Sequence, residues 1–275
     1  MSKFWLLKTL RKINFLKNKR IDFELELNGQ NFVVPLISEI GLENHRIKEL
    51  WMLDLFKKIN PSDNDILIDV GAHTGQTLLK WKSVNGKSPY YGFEPMTKCT
   101  EYLKDLIEIN QFKNTKLVNK ALYNKQGSQT LFFHKKDDSD RTASLVKTHR
   151  KKRDSEIVET ITFSNFLDSY NLSPDKIKVI KIDVEGAEFE VLNELSDVLI
   201  KHKPIVIIEI LAYSPKIDKA RLKQTTDFIK TLPYDFYRIN IKDTAFQGLE
   251  AIDDVVYPVP RKQSDYLLVP SGTQL

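Results

Sequence analysis

The chain has 275 residues, 41% hydrophobic and 29% charged, enough to bury the full core of one α/β domain with a small addition. No apolar run approaches the ~20 residues of a membrane-spanning helix. The single Cys99 excludes an internal disulfide and a cysteine-rich zinc site, which makes a reducing cytoplasm the default location. The net charge of +5 is local: the first twenty residues hold seven basic side chains and no acidic one, and the rest carries 35 basic against 37 acidic. A nucleic-acid-binding surface over the whole domain is therefore not expected.

Residues 2–18 read as a basic amphipathic helix with Leu6, Leu10, Ile13 and Leu16 at near-helical spacing. Lys8 interrupts the apolar stretch too early for a signal peptide. Such a helix can dock its stripe on the domain or a partner subunit. It can equally lie on an anionic membrane surface, as a peripheral contact at the inner face of the membrane through residues 1–20. Ile21 to Leu27 alternates strictly, Asn28-Gly29 signals a type I′ turn, and Phe32-Val33-Val34 returns, which predicts a hairpin over 21–37. A helix from about Asn44 to Ile59 follows, closed by Pro61-Ser62-Asp63-Asn64-Asp65. Residues 1–60 thus form a front section of basic helix, hairpin and cap helix, and residues 61–275 a second domain.

From Ile66 the pattern alternates strand and helix. Ile66-Leu67-Ile68-Asp69-Val70 is apolar enough for a strand buried on both faces. It runs into the turn Gly71-Ala72-His73-Thr74-Gly75, where two glycines let the backbone approach a ligand, and then into a helix from Gln76 to Ser83. Glu94 ends a second strand (Tyr90–Phe93), where a carboxylate can accept hydrogen bonds from a ribose diol. A helix over Thr97–Asn110 and a third strand over Thr115–Asn119 follow, then apolar segments at 131–133 and 158–163 around an irregular basic stretch, 134–155. Ile177–Asp183 is a fourth core strand, Gly186–Ile200 a helix, and Pro204–Ile210, with Glu209, a fifth strand. Strands at Phe236–Ile241 and Tyr266–Val269 suit an antiparallel edge pair. The whole predicts a mostly parallel, doubly wound sheet.

Ligands of such sheets bind outside the carboxyl ends of the strands, here marked by Asp69, Glu94, Asn119, Asp183 with Glu185, and Glu209. His73 stands where a dinucleotide-binding turn needs its middle glycine, and the last glycine is missing; a phosphate-cradling Gly-Lys-Ser/Thr is missing as well. The remaining ligand has a ribose, an adenine and a charged head but no phosphates, a description that S-adenosyl-L-methionine fits.

Asp69-Val-Gly-Ala-His-Thr-Gly75, Phe93-Glu94-Pro95, Asn119-Lys-Ala-Leu122 and, most diagnostic, Lys181-Ile-Asp-Val-Glu-Gly-Ala-Glu188 resemble the FkbM family of S-adenosylmethionine-dependent methyltransferases over roughly residues 60–212. The closing Ser264–Pro270 is similar too. The resemblance implies a class I methyltransferase-like (Rossmann-like) fold. It implies that Asp69, Gly71, Ala72, His73 and Gly75 form the methionine side of the cofactor pocket and that Glu94 holds the ribose hydroxyls. Asn119 and Ala121 would border the adenine, and Asp183 would sit beside the transferring methyl. It also implies an acceptor hydroxyl, often of a glycan sugar or another small molecule.

Such a transfer needs alignment and a proton acceptor. Asp183 is the first candidate for the base, with Glu185, Glu209 and His134 behind it. Glu188 reads instead as a first-turn carboxylate answering the helix dipole. Asp183, Glu185 and Glu209 could hold a divalent ion, but no metal is assigned. The basic stretch, with Lys135-Lys136 and Lys147–Arg153, leaves an anionic acceptor open, such as a lipid-linked or nucleotide-linked saccharide. RNA or protein methylation, or a silent S-adenosylmethionine-binding scaffold, are the alternatives. Against base methylation, Asp183 is followed by Val-Glu-Gly, with no Pro-Pro-Tyr-like run and no Pro-Cys nucleophile.

Overall fold

The structure, a computed structural model, describes residues 19–38, 40–133, 143–146, 154–210, 218–256 and 264–274. The helix expected at residues 2–18, the candidate base His134 and the basic stretches at 135–136 and 147–153 lie outside the described residues. Among the described residues, no helix is long and apolar enough to cross a membrane.

The front section opens with the expected hairpin, β1 (Arg20–Leu27) and β2 (Gln30–Ile37), in which Leu27 faces Gln30. Asn28 (φ 54°) and Gly29 (φ 71°) supply the two left-handed residues of a type I′ turn. A 3₁₀ turn (Leu42–His45) precedes helix α1 (Leu50–Ile59). The single helix expected from Asn44 is thus split. Glu49 takes φ 53°, which a continuous right-handed helix does not allow.

The larger unit follows as β3 (Ile66–Val70), α2 (Gln76–Val84), β4 (Tyr90–Phe93), α3 (Thr97–Ile109) and β5 (Thr115–Val118). A small sheet comes next, with β6 (Ala121–Leu122), β7 (Gly127–Phe133) and β8 (Asp154–Ile161). Helix α4 (Phe163–Tyr170), β9 (Ile177–Ile182), α5 (Glu188–Glu194), α6 (Ser196–Lys201) and β10 (Ile205–Glu209) lead to α7 (Asp218–Ile229) and the closing strands β11 (Tyr234–Lys242), β12 (Ala245–Ala251) and β13 (Asp265–Pro270). The main sheet has eight strands in the order β12-β11-β13-β10-β9-β3-β4-β5. The run β10-β9-β3-β4-β5 is parallel, and β13 and β11 are antiparallel to their neighbours. The order reverses at β3, so the carboxyl ends of β3 and β9 open onto a crevice where ligands of such sheets bind.

Alternation along the strands sorts the core onto two faces. Ile66, Ile68, Val70, Ile180, Ile182, Val206 and Ile208 pack with residues of α4 to α7, including Phe166, Val191, Leu199 and Leu222. Leu67, Val179, Ile205, Ile207 and Leu267 pack with α1, α2 and α3, where Phe56 and Trp81 meet edge to face at 5.1 Å. All five residues of β3 are buried, as its composition implies. Each fully buried large apolar side chain contributes about 1.5–3 kcal/mol.

The mostly parallel α/β sheet agrees with the expectation; its edge does not. The strands at Phe236–Ile241 and Tyr266–Val269 do pair with each other. However, β13 also pairs with β10, which makes it an interior strand, and β12, which was not expected, forms the edge beside β11. The helix expected over Gly186–Ile200 is two helices, α5 and α6.

Candidate active site

One cavity of about 380 Å³ opens at the carboxyl ends of β3, β4 and β9. Gly71, Ala72, His73, Glu94, Ala121, Asp183, Glu185 and Glu209 all lie on its wall, so most of the residues singled out in the sequence converge. Three stand behind it. Asp69 is fully buried, its Oδ2 accepting from the Tyr90 hydroxyl at 2.6 Å. Asn119 donates to the carbonyls of Glu94 (2.9 Å) and Pro95 (3.1 Å) and ties down the loop after β4. Gly75 begins α2 in a left-handed conformation (φ 84°), packed so closely that a Cβ there would lie 2.7 Å from Leu103 Cδ2.

The turn after β3 is shaped by one close approach. Gly71 has φ 91°, and a Cβ on it would lie 2.0 Å from the carbonyl oxygen of Asp183. Only glycine lets the ends of β3 and β9 come this near. The backbone of the two strands stays paired here, with Asp183 N–H donating to the Val70 carbonyl at 3.0 Å.

Glu94 accepts from His73 N–H and Met96 N–H, each at 2.8 Å, one on each carboxylate oxygen. Burial pushes its pKa up to about 7, against the two backbone hydrogen bonds, which favour the charged form. Two further lone-pair directions of the carboxylate remain for a diol.

A buried lysine organises the centre. Lys181 Nζ donates to Asp183 Oδ2 at 3.1 Å and to the Gly71 carbonyl at 3.3 Å, and lies 3.5 Å from Asp69 Oδ1. Asp69 and Lys181 are direct partners across the parallel pair β3 and β9. Burial alone would lower the lysine pKa, but Asp183, Asp69 and Glu49 outweigh it and hold the ammonium charged. Burial likewise pushes Asp183 up, and the charge of Lys181 and a hydrogen bond with Glu209 overcome it, leaving Asp183 below the usual carboxylate range. Glu209 moves the other way, raised first by burial and then by the negative charges of Asp183, Asp265 and Glu185. The two carboxyls thus shift in opposite directions, and Ser264 Oγ donates to Glu209 Oε1 at 3.0 Å. Ligand atoms of Asp183, Glu185 and Glu209 lie within 4.8 Å of one another.

Glu188 accepts from Gly186 N–H at 2.7 Å, as the first residue of α5. It is not on the cavity wall, consistent with a first-turn carboxylate. Arg221, from α7, donates to the Gly186 carbonyl at 2.8 Å and pairs with Glu190 at 2.5 Å, latching the loop after β9.

Sequence reasoning gave no role to Lys181, Tyr90, Lys48 or Glu49. The signal for Lys181 was present: a lysine flanked by isoleucines inside a doubly covered strand must find a buried partner. Lys48 and Glu49 line the cavity from the front section, where nothing in the sequence pointed to a site.

The solved structures similar to this chain include three methyltransferases. The FkbM methyltransferase of Methylobacillus flagellatus is 15% identical with a TM-score of 0.47; the match covers 75% of this chain and 44% of that one, so this chain spans less than half its length. The SAH-bound methyltransferase of Podospora anserina is 11% identical with a TM-score of 0.45, over 74% of this chain and 75% of that one. Precorrin-6y C5,15-methyltransferase from Geobacter metallireducens is 11% identical with a TM-score of 0.41, over 78% and 84%. No curated protein is similar to the chain in sequence. The model of the methyltransferase FkbM domain matches residues 69–236, which takes in the glycine turn, Glu94, the Lys181–Glu188 run and Glu209. That match spans more than half of the chain, and on it the chain belongs to the FkbM methyltransferase family.

Proposed function

We propose that the chain is an S-adenosylmethionine-dependent O-methyltransferase whose acceptor is a sugar hydroxyl, in a glycan or in a lipid-linked or nucleotide-linked saccharide. The observation that carries the hydroxyl assignment is the placement of Asp183 on the cavity wall, its carboxylate 3.1 Å from the Lys181 ammonium and Glu209 beside it. An acceptor hydroxyl must lose a proton as it is methylated, and an ionised carboxylate takes one.

The donor set fits the cofactor. The cavity volume lies within the ~300–1,000 Å³ of small-molecule sites. Phe93, Leu122 and Leu131 give it an apolar wall for a flat base, and Glu94 has acceptor capacity for a ribose diol. When bound, S-adenosylmethionine supplies a methyl carbon made electrophilic by its sulfonium. The chain then has three tasks. The turn from Gly71 to Thr74 and Glu94 fix the donor, and holding both reactants in place can remove about 7–11 kcal/mol of the barrier. Lys181 orients Asp183 and keeps it charged. Asp183 accepts the hydroxyl proton, a contribution on the order of 10²–10⁴-fold.

The test is transfer from labelled S-adenosylmethionine to a panel of nucleotide sugars and lipid-linked saccharides, with the product methyl located by NMR. A methyl ether on a sugar carbon is expected. Transfer to nitrogen or carbon, or only to RNA or protein, overturns the acceptor assignment. Asp183→Asn should lower kcat by about 10²–10⁴-fold with cofactor affinity within a few-fold of the parent; full turnover would remove Asp183 from the base role.

A further inference from the structure

The aspartate that precedes the glycine turn does not reach the cavity. Asp69 is fully buried and stays off the cavity wall, although the family resemblance implies a place on the methionine side of the pocket. It meets Tyr90 and Lys181 instead. In the register of the sheet, Asp69 stands between Gly92 on β4 and Lys181 on β9. Gly92 leaves the necessary room: a Cβ there would lie 2.9 Å from the Tyr90 hydroxyl, which donates to Asp69 Oδ2 at 2.6 Å. Burial and the charge of Asp69 push the Tyr90 pKa well up, so the phenol stays a donor. The other oxygen, Asp69 Oδ1, is buried 3.5 Å from the Lys181 ammonium and, among the described residues, receives no hydrogen bond.

A buried carboxylate carries a desolvation cost that an apolar side chain of similar size avoids, so stability does not explain Asp69. Turnover does. Lys181 donates to Asp183 at 3.1 Å and to the Gly71 carbonyl at 3.3 Å, so Asp183 is its nearer anion in the resting site. As the acceptor is methylated, its O–H bond breaks and the O–CH3 bond forms. The electron pair of the S–CH3 bond stays on sulfur, and the proton passes to Asp183. Asp183 is then neutral, and Lys181 is a buried ammonium whose nearest anion is gone. The other carboxyls nearby are poor substitutes. Glu49 is engaged by the Lys80 ammonium at 3.3 Å, and burial holds the pKa values of Glu209 and Asp265 up.

We infer that Asp69 is the second counter-ion of Lys181: it takes over the ammonium when Asp183 accepts the acceptor's proton, and Tyr90 holds it in place for that exchange. Asp69 is thus a positioning residue, acting on the reaction through Lys181 and not by touching the cofactor. This rests on the acceptance of a hydroxyl proton by Asp183 proposed above.

Asparagine at position 183 imitates the neutral carboxyl, so the melting temperatures of cofactor-free variants test the exchange without an acceptor. Asp69→Asn and Asp183→Asn should each lower Tm modestly, since either anion can serve Lys181. Combined, they should lower it by about 5 °C or more beyond the sum of the two. Adding Lys181→Met removes the stranded ammonium and should recover most of that excess. A double variant that does not fold, beside a triple variant that does, is the same result. Additive losses, or a triple variant no more stable than the double, overturn the inference. Calorimetry with S-adenosylhomocysteine separates this role from that of a cofactor ligand. Asp69→Asn should bind it within about threefold of the parent, and a loss of about tenfold or more would put Asp69 on the cofactor and overturn the inference. Coupled melting temperatures with no methyl ether from the transfer panel would support the counter-ion exchange and overturn the acceptor reading alone.

Discussion

Glu94 spends one lone pair of each carboxylate oxygen on a backbone N–H and has the rest for a ligand, in a site that raises its pKa to about 7. A ribose diol donates to the carboxylate and not to the acid, so binding should draw on the ionised form. Below about pH 7 the free site is protonated and must release a proton when S-adenosylmethionine enters. The affinity should therefore fall on acidification by up to about tenfold per pH unit. Calorimetry in two buffers of different protonation enthalpy reads both effects; constant affinity from pH 6 to 8 without proton release would remove Glu94 from ribose binding. Lys181 and Asp183 act at the same scale but in the opposite sense, since each keeps the other charged.

At the scale of elements, the junction of β3 and β9 carries the most demanding backbone. Gly71→Ala would need both a left-handed alanine and a shift of the Asp183 backbone, which no side-chain rotation can relieve. Gly29→Ala in the hairpin pays for the left-handed conformation alone, because nothing lies within 4 Å of its added Cβ. The second should cost about 1 kcal/mol and the first several-fold more, read as loss of Tm together with loss of cofactor binding. Equal costs would mean that the close approach is not essential. The strands around this junction were legible in the sequence because short apolar runs ending in Asp, Glu or Gly have few other readings. Helix α7 was not. Its buried face includes Thr225 and Thr226, whose hydroxyls turn back to the carbonyls of Arg221 and Leu222, each at 3.0 Å, so the face reads as polar. The withdrawal of Asp69 from the cavity was hidden for another reason. Its partner Lys181 lies across a strand pair, and only the register brings the two together. The interior place of β13 likewise depends on strand order, which no local pattern encodes.

For the molecule as a whole, burial is the first cause of a raised pKa at Glu94, Glu188 and Asp265, each pushed up to about 7. Each group binds its proton more tightly folded than unfolded. The stability this gives is complete below the unfolded values, 4.5 for the two glutamates and 3.8 for Asp265, and is lost as the pH rises through about 7. The cofactor-free protein should therefore melt several degrees higher at pH 5.5 than at pH 7.5, each group contributing on the order of 2 kcal/mol. Lys82, pushed down to about 8 by burial, changes charge above this range. A melting temperature that falls on acidification over this interval would show that these carboxylates are ionised in the fold.

The position of β13 has a consequence for biosynthesis. When β10 and β11 have left the ribosome, they cannot be neighbours; the gap between them belongs to a strand translated after both. Until it arrives, the inner edge of β10 presents unpaired backbone groups and Ile205–Ile208 stay incompletely covered. The same late segment brings Ser264 to Glu209. The nascent chain thus passes through an interval as an open, adhesive half-sheet without its complete site, and a chaperone that shields β10 during that interval should raise the yield of folded protein more than one acting on the earlier strands.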